Sequence, residues 1–287
     1  PRRITDINPW VDEFANPQGE VINYRSEGRD IESLLIKPPD FNSDKKYPLI
    51  LVIHGGPAWY KLNEWLPDWE QSPIHAYSSE GFVLLFPNVR GSANYGVDFR
   101  KDNHHDLGGG DFRDAMRGVD YLLDMGYIDE DRMGVCGWSY GGFLTPSIIT
   151  QTDRFKAAQF GAGSTSMEAK YSRMATTEHT FHGSFDARPW ENGMIHLQYS
   201  PLYYTNKVKT PTLIQHGEKD PRCPVEGAIL FYKALKYYGV PTVLEIYPEM
   251  GHSITDSLLY RRILTKNLDW FKKWLKDDKT TSFEDIF

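Results

Sequence analysis

Two kinds of hydrophobic pattern alternate along this chain of 287 residues. Short, nearly continuous apolar runs, such as "YPLILVI" (47–53) and "GFVLLFP" (81–87), are typical of strands buried on both faces. Between such runs, apolar residues recur at helical spacing, as in "DFRDAMRGVDYLLDMG" (111–126). Strands that alternate with helices predict an α/β fold with a mostly parallel sheet, covered by helices on both faces.

The same reasoning places the remaining elements. "VINYRSEGRDIESLLIKPP" predicts a hairpin around the polar turn Glu27-Gly28-Arg29-Asp30. Residues 1–20 predict an extended lead-in segment, residues 21–287 a single domain, and residues 163–207 an irregular, aromatic-rich stretch. Further strands are predicted within "RMGVCG", "FKAAQFG", "TPTLIQHG" and "PTVLEIYP", and further helices within 140–152, "VEGAILFYKALKYYG" and "LLYRRILTKNLDWFKKWL".

Two of the predicted helices carry more detailed expectations. In the helix that follows "GGG", Asp111 is expected to cap the first turn and Gly126 to end the last one. In the last helix, the spacing of leucine and phenylalanine predicts one buried stripe. That stripe consists of Leu264, Leu268, Phe271 and Leu275.

Composition and charge exclude several classes of protein. The net charge is −7 and no block of Lys or Arg stands out, so nucleic acid is not an expected partner. The longest apolar runs are far shorter than the ~20 residues of a membrane-spanning helix, so no membrane association is expected. Two cysteines make no disulfide framework, which favours a reducing, cytoplasmic compartment.

A glycine-flanked serine is the strongest chemical signal. Ser139 lies between Gly137 and Gly141, and it separates a predicted strand from a predicted helix. Such a pattern fits a tight turn that presents the serine hydroxyl above the carboxyl edge of a sheet. The pattern also fits a plain turn, and the pentapeptide alone does not separate the two interpretations.

A nucleophilic serine needs a base that takes its proton and an acid that orients the base. His252 follows the last predicted strand and Asp220 follows the strand before it. Because the carboxyl ends of parallel strands meet at one edge of the sheet, both loops should open beside Ser139. The competing candidates are His179, His182, His196 and His216 for the base, and Glu218 and Asp256 for the acid.

Acyl transfer also requires two N–H groups that stabilise the oxyanion formed when a carbonyl is attacked. Tyr140, the residue after the serine, would supply one of them. Gly56 in "IHGGPAW" would supply the other, because a glycine N–H approaches the reacting carbon without an obstructing Cβ. The alternative interpretation of this stretch is a plain Gly-Gly-Pro turn.

Two further stretches resemble ligand sites without predicting one. His104, His105 and Asp106 in "DNHHD" could bind a metal ion, but no second pair follows at zinc-site spacing, and a solvated loop is preferred. "GGGDF" (108–112) has neither the preceding strand nor the Lys-Ser/Thr pair of a phosphate-binding loop. We therefore expect no metal ion and no cofactor.

Taken together, five motifs resemble the catalytic domain of the prolyl oligopeptidase family of serine peptidases, and in particular its acylaminoacyl-peptidase and dipeptidyl-peptidase-like branch. The motifs are "HGGP", "NVRGSANYG", "GWSYGG", "SPLYYTNKVKTPTLIQHGEKDPRCP" and "YPEMGHS", in this order. The resemblance covers nearly the whole chain, from about Pro1 to Leu275. It implies an α/β-hydrolase fold, with residues 21–287 as the catalytic domain.

The resemblance also implies functional residues, position by position. Ser139 would be the nucleophile, Asp220 the orienting acid and His252 the base. In the family's D-x-R pattern the arginine falls on Arg222, which would bind a substrate carbonyl or carboxylate near the scissile bond. The implied oxyanion donors are Gly56 and Tyr140.

One departure from the family concerns domain content. Full-length members resembled by this chain carry a β-propeller before the catalytic domain, and the propeller screens the active site. Nothing in these 287 residues is expected to form a propeller, whereas "RRITDINPWVDEF" resembles the segment that follows one. We expect either a catalytic domain separated from its propeller or a stand-alone hydrolase.

The resulting expectation is a serine hydrolase that cleaves peptide or acyl-amide bonds through an acyl-enzyme intermediate. The alternative is a stand-alone carboxylesterase that acts on small esters with the same residues. A third hypothesis, from another class, is a catalytically silent binding module of the same fold. The expected partner is a peptide or small ester substrate; a β-propeller outside this chain and a homo-oligomer stay open.

Overall fold

The computed structural model describes residues 17–64, 71–173 and 185–276, together with Pro9 and Glu13. Most of the predicted lead-in lies outside the described residues. The first strand begins at Gln18, so the last three residues of the predicted lead-in already belong to the sheet. None of the helices in the described ranges is long and apolar enough to span a membrane.

A single eight-stranded sheet forms the centre of the fold, with the strand order β1-β2-β4-β3-β5-β6-β7-β8. The strands from β4 to β8 in that order are parallel, whereas β1 and β2 add an antiparallel hairpin at one edge. The predicted mostly parallel sheet is therefore confirmed. The strands are β1 (Gln18–Ser26), β2 (Arg29–Lys37), β3 (Tyr47–Ile53), β4 (Val83–Pro87), β5 (Ile128–Trp138), β6 (Ala157–Gly161), β7 (Thr212–Gly217) and β8 (Thr242–Tyr247).

The hairpin turn is shorter than its sequence suggests. Ser26 pairs directly with Arg29, so only Glu27 and Gly28 form the turn, whereas the prediction also included Arg29 and Asp30. Both turn residues have positive φ, 45° and 85°. Such a two-residue turn matches the twist of the two strands that it joins.

Helices cover both faces of the sheet. They are α1 (Ile74–Ser79), α2 (Val97–Lys101), α3 (Gly110–Asp124), α4 (Tyr140–Ile149), α5 (Met167–Arg173), α6 (Gly193–Gln198), α7 (Val225–Tyr237) and α8 (Ser257–Leu275), with a 3₁₀ helix at Pro201–Lys207. The stretch 163–207, expected to be irregular, thus contains α5, α6 and the 3₁₀ helix. These elements have only six or seven residues each, too few for a hydrophobic period to show.

The position of β3 in the middle of the sheet explains why its sequence is apolar throughout. All seven of its residues are buried. Leu49 and Leu51 pack into the core beneath α3, α4 and α7, whereas Ile50 and Val52 pack into the core beneath α1 and α8. Because successive side chains of a strand point to opposite faces, both faces require apolar residues.

One local expectation about helices is wrong, and a second is only partly confirmed. Asp111 does not cap α3: the helix begins at Gly110, whose N–H donates to Asp106 Oδ2 at 2.8 Å, and Asp111 lies buried inside the first turn. In α8, Phe271 and Leu275 are buried as predicted and Leu268 packs against the core, but Ile263 is buried where Leu264 was expected. The described residues that line the buried face of α8 are Ile263, Asn267, Trp270, Phe271 and Leu275.

Candidate active site

Ser139 occupies a sharp turn between the end of β5 at Trp138 and the start of α4 at Tyr140. Its backbone has φ 62° and ψ −112°, in the half of conformational space that residues with a Cβ rarely adopt. Two hydrogen bonds hold this conformation: the N–H of Ser139 donates to Gly161 O at 3.0 Å, and Ser139 O accepts from Phe143 N–H at 3.0 Å. The strained backbone conformation of Ser139 is thus held by one hydrogen bond to β6 and one to α4.

The glycines around the serine are required by close packing of the backbone. A Cβ on Gly137 would lie 2.7 Å from the backbone of Gly141. A Cβ on Gly141 would lie 2.1 Å from the carbonyl oxygen of Ile53, at the end of β3. The first turn of α4 therefore rests directly on the sheet edge, and Ser139 projects from that edge.

Three side chains that the sequence places on separate loops meet here in one chain of hydrogen bonds. His252 Nε2 lies 2.8 Å from Ser139 Oγ, and His252 Nδ1 lies 2.8 Å from Asp220 Oδ2. The loops after β7 and β8, which carry Asp220 and His252, touch each other: Lys219 N–H donates to Met250 O at 2.8 Å. The predicted meeting of these loops at the edge of Ser139 is what the structure shows.

The hydrogen-bond partners determine the tautomer of His252. A carboxylate oxygen only accepts hydrogen bonds, so His252 Nδ1 must carry a proton and donate a hydrogen bond to Asp220 Oδ2. In the neutral ring, Nε2 then holds a lone pair directed at the hydroxyl of Ser139. This is the form in which a histidine can take a proton from serine.

Asp220 is buried yet held in its charged form. Burial alone would oppose ionisation, but hydrogen bonds from His216 and His252 outweigh it and lower the pKa of the Asp220 carboxyl below its usual value. Backbone N–H groups of Arg222 and Cys223 also donate to its Oδ1, at 2.8 and 2.9 Å. The carboxylate therefore has fixed partners on both oxygens.

The competing candidates for base and acid that the structure describes do not contact Ser139 in the hydrogen-bond chain and have other partners. His216 is fully buried in β7, and its Nε2 donates to Cys223 O at 2.7 Å while lying 3.4 Å from Asp220 Oδ2. His216 thus lies near the same carboxylate oxygen, Oδ2, that His252 contacts. Glu218 accepts from Glu249 N–H, and Asp256 caps α8. His196 contacts Ala187 O, whereas His179 and His182 lie outside the described residues.

Of the two residues whose N–H groups are expected to hold an oxyanion, Tyr140 directly follows Ser139, and Gly56 directly follows Gly55, which lies beside Ser139. Tyr140 is the first residue of α4, so its N–H has no partner within the helix. The Gly55-Gly56 segment runs beside the serine, since a Cβ on Gly55 would lie 3.5 Å from Ser139 Cβ. Gly56 has φ 131°, a conformation that favours glycine, and precedes a cis peptide bond to Pro57.

A buried histidine supports this segment, and sequence reasoning missed it. His54 Nδ1 lies 2.7 Å from Gly55 O, and Nε2 lies 3.0 Å from Ser92 Oγ. Burial, with a contribution from the charge of Lys61, lowers the pKa of His54 to about 4. His54 is therefore neutral at physiological pH and fixes the Gly55-Gly56 segment from below.

Sequence reasoning also missed a buried hydrogen-bonded pair, Tyr140 and Asp111. The Tyr140 hydroxyl donates to Asp111 Oδ2, and Asp111 Oδ1 accepts from Phe112 N–H at 2.8 Å. Burial raises the pKa of Asp111 to about 6. The pair connects the first turn of α3 to the first turn of α4. Its only sequence signal was an acidic residue near a helix start, which fits an ordinary cap equally well.

Arg222 lies at the rim of the site with an exposed side chain. Its backbone N–H donates to Asp220, which ties its position to the acid of the hydrogen-bond chain. Glu218, one of the two partners that a purely structural arginine would need, accepts a hydrogen bond from Glu249 N–H. The guanidinium is thus available to solvent at the mouth of the site.

A serine, a histidine and an aspartate joined in this order, on loops after three parallel strands, define an α/β-hydrolase fold with the arrangement used by serine hydrolases. The profile of the prolyl oligopeptidase family matches residues 68–278, and the chain belongs to this family.

Individual relatives agree with this assignment. An uncharacterized peptidase of Bacillus subtilis, YuxL, is 34% identical across 95% of this chain, and dipeptidyl-peptidase 5 of Porphyromonas gingivalis is 31% identical across 88%. Among solved structures, an acylaminoacyl peptidase of Pyrococcus horikoshii matches 99% of this chain with a TM-score of 0.89 and 27% identity. The chain spans 41%, 37% and 46% of these three proteins, less than half of each.

Proposed function

We propose that this chain is the catalytic part of a serine peptidase that cleaves peptide or acyl-amide bonds through an acyl-enzyme. The observation that carries the proposal is the continuous hydrogen-bond chain from Ser139 Oγ through His252 to Asp220, with both links at 2.8 Å. Membership of the prolyl oligopeptidase family supports the same chemistry.

The proposed reaction follows from the donors and acceptors of the site. As Ser139 Oγ attacks the substrate carbonyl, its proton moves to His252 Nε2. The oxygen of the tetrahedral intermediate becomes negative and accepts hydrogen bonds from the N–H groups of Gly56 and Tyr140. His252 then gives its proton to the leaving amine, which separates and leaves an acyl ester on Ser139. A water molecule, deprotonated by His252, then attacks the acyl ester, and His252 returns the proton to Ser139 Oγ as the bond to the acyl group breaks.

Asp220 serves this cycle as a fixed negative charge. Protonated His252 carries a positive charge for part of each turnover, and the carboxylate at Nδ1 stabilises it. Because the pKa of Asp220 is lowered, the carboxylate keeps its charge throughout the range in which His252 works. The additional contacts from His216 and two backbone N–H groups keep it from rotating away.

For the substrate we propose a peptide recognised near its amino end. The relatives named dipeptidyl-peptidase 5 and acylaminoacyl peptidase support this class, since both names describe cleavage close to that end. The exposed guanidinium of Arg222 supports it too, because a fixed fork of N–H donors suits a substrate carbonyl or carboxylate.

A serine-directed fluorophosphonate probe tests the mechanism. The wild-type chain should be labelled covalently on Ser139, and Ser139→Ala should lose labelling while keeping its melting temperature. We expect kcat to fall on the order of 10⁴–10⁶-fold, as in other serine peptidases that lose a member of the triad. Retention of more than a tenth of the activity would exclude Ser139 as the nucleophile.

The substrate class is tested by comparing acyl-amino-acid and dipeptide anilides with short p-nitrophenyl esters. Turnover of the anilides supports a peptidase. Turnover of the esters with none of the anilides would replace the proposal by the carboxylesterase alternative, and labelling without turnover of either would favour a binding module.

A further inference from the structure

The "DNHHD" loop between α2 and α3 acquires a partner that lies far away in the sequence. His104 Nε2 and His105 Nε2 both point at one atom, Oδ2 of Asp186, at 3.6 and 3.0 Å. Asp186 lies in the segment that precedes α6. The nearest donor atoms of the three side chains all lie within 4.8 Å of one another. Two imidazoles and one carboxylate thus converge at one point on the surface.

The separations between each imidazole nitrogen and the carboxylate oxygen are compatible with ligands of one metal ion. In a tetrahedral zinc site with bonds of about 2.0–2.1 Å, neighbouring ligand atoms lie roughly 3.3 Å apart. The observed 3.0 and 3.6 Å bracket this value. One histidine would suffice for an ion pair with Asp186, and the second imidazole is explained if all three groups share a cation.

One tyrosine holds both parts of the cluster in place. The Tyr199 hydroxyl donates to the carbonyl oxygen of His105, and the Tyr199 ring stacks on Phe185 with the centroids 5.0 Å apart. Phe185 is buried and directly precedes Asp186. Because the two segments share this anchor, the ligand atoms are brought together before any ion arrives.

We propose that His104, His105 and Asp186 form a binding site for one zinc-like divalent ion, with water as the fourth ligand. Imidazole nitrogens with one carboxylate favour Zn²⁺, Co²⁺ or Ni²⁺ over Mg²⁺ and Ca²⁺, which prefer oxygen ligands. The ion would cross-link the loop before α3 to the segment before α6. Its role is structural, because none of its ligands belongs to the Ser139–His252–Asp220 chain. The proposal does not depend on the proposed function.

A second group must be separated from this one in any experiment. Donor atoms of Asp220, Cys223 and His252 also lie within 4.8 Å of one another. A metal ion there would have to displace the hydrogen bond between His252 and Asp220, so it would inhibit turnover. Binding to the surface cluster should leave turnover unchanged, which makes the two sites distinguishable.

The test uses the whole chain, freed of metal with a chelator, and titrates it with Zn²⁺ by calorimetry and with Co²⁺ by visible absorption. We expect one high-affinity equivalent and the visible absorption of four-coordinate Co²⁺. His104→Ala, His105→Ala and Asp186→Asn should each weaken Zn²⁺ binding at least about ten-fold, the lower end of the loss caused by removing even an outer partner of a metal ligand. His75→Ala, a partly buried histidine of α1, is the matched control and should bind as wild type does.

Stability gives an independent readout. Saturating Zn²⁺ should raise the melting temperature of the wild type and of His75→Ala by roughly 5 °C, and leave that of the three ligand variants unchanged. Without metal, all the proteins should melt and react with the fluorophosphonate probe alike. Zn²⁺ affinity unchanged in the three variants, Zn²⁺ binding abolished by Cys223→Ser, or no binding by the wild type would each overturn the proposal.

Discussion

Asp111 is a carboxyl group placed where its ionisation changes the stability of the fold. It is fully buried beneath Tyr140, and burial raises its pKa from 3.8 to about 6. Because the folded state holds the proton more tightly than the unfolded state, Asp111 stabilises the fold below pH 3.8. This contribution is lost as the pH rises through about 6. The difference between the two pKa values corresponds to roughly 3 kcal/mol.

The free energy of unfolding, measured by urea denaturation at several pH values, should reveal this contribution. We expect the wild type to lose stability relative to Asp111→Asn between pH 4 and pH 7, by up to roughly 3 kcal/mol. His54 acts in the opposite direction over the same range, because its folded pKa of about 4 lies below its usual 6.5. The wild type is therefore compared with Asp111→Asn at each pH, because the contribution of His54 is present in both proteins and cancels in the difference. A difference that does not change with pH would show that Asp111 is not the titrating group.

Arg222 should matter more for peptides than for small esters. A peptide offers a carbonyl or carboxylate one residue from the scissile bond, whereas p-nitrophenyl acetate offers none. A hydrogen bond from a charged donor is worth roughly 1.5–3 kcal/mol, or about ten- to a hundred-fold in rate. We therefore expect Arg222→Ala to lower kcat/KM at least about ten-fold for acyl-dipeptide anilides and less than about three-fold for the ester.

Arg261→Ala, an exposed arginine on α8, serves as the control and should change neither substrate. Equal losses on both substrates after Arg222→Ala would mean that the Arg222 side chain affects the position of Asp220 and does not bind the substrate. The anchoring role would then be withdrawn.

At the residue scale, the sequence was informative where position along the chain decides position in space. Ser139, Asp220 and His252 each follow a strand of a parallel sheet, so their meeting at one edge was predictable. The partner of His105 was not predictable, because Asp186 lies 81 residues away in a stretch without a strong period. The contact of Asp111 with Tyr140 depends on how α3 packs against α4, which a helical pattern alone does not fix.

The packing of α8 offers a direct comparison between sequence and structure. The hydrophobic stripe predicted Leu264 as a core residue, whereas the structure buries its neighbour Ile263 among Trp138, Tyr247 and Ile254. Ile263→Ala should therefore lower the unfolding free energy by about 2–5 kcal/mol, and Leu264→Ala by less than about 1 kcal/mol. The urea midpoints of the two variants measure this. The reverse order would restore the sequence-based stripe.

The contact between α4 and β3 leaves no space for a side chain at Gly141. A Cβ there would meet the carbonyl oxygen of Ile53 at 2.1 Å, and backbone of a central strand cannot yield cheaply. We expect Gly141→Ala to cost about 3 kcal/mol or more in unfolding free energy and to abolish probe labelling of Ser139.

Gly193→Ala at the start of α6 is the control, because no atom of the described residues lies within 4 Å of its added Cβ. It should be neutral or slightly stabilising, since alanine favours helix over glycine. Equal stability of the two variants would contradict the close packing described for the serine turn.

At the scale of helices and strands, longer and more deeply buried elements were easier to predict from the sequence. The strands of the sheet centre are apolar on both faces, and α3, α7 and α8 are long enough to show a period. In α8, Leu264 was predicted in place of Ile263 because the two residues are adjacent and similarly apolar, whereas Phe271 and Leu275 were predicted correctly. The short helices between β6 and β7 carry too few turns to be recognised.

At the scale of the whole molecule, the two cysteines distinguish local opening of the loop that carries Asp220 from global unfolding of the sheet. Cys136 lies in the sheet centre on β5, and Cys223 lies in the loop that carries Asp220; both are buried thiols that form no disulfide. A thiol reagent should therefore modify Cys223 by local opening of the loop and Cys136 only by global unfolding.

The rate for Cys136, measured in Cys223→Ser, should rise with urea as steeply as the rate of unfolding does. The rate for Cys223, measured in Cys136→Ala, should depend on urea only weakly. Parallel urea dependence of both rates would mean that the active-site loop opens only when the sheet does.

The ring of Trp138 connects the loop that carries His252 to the turn that carries Ser139. Its Nε1–H donates to the carbonyl oxygen of His252 at 2.9 Å, and it reaches across β6 because Gly161 has no side chain: a Cβ there would lie 2.0 Å from the ring. Trp138 is also the residue directly before Ser139. A displacement of the β8 loop therefore pulls on the same residue that positions the serine, and the two move in step. Thermal motion can shift the pair relative to a bound substrate while the separation between Oγ and Nε2 is preserved.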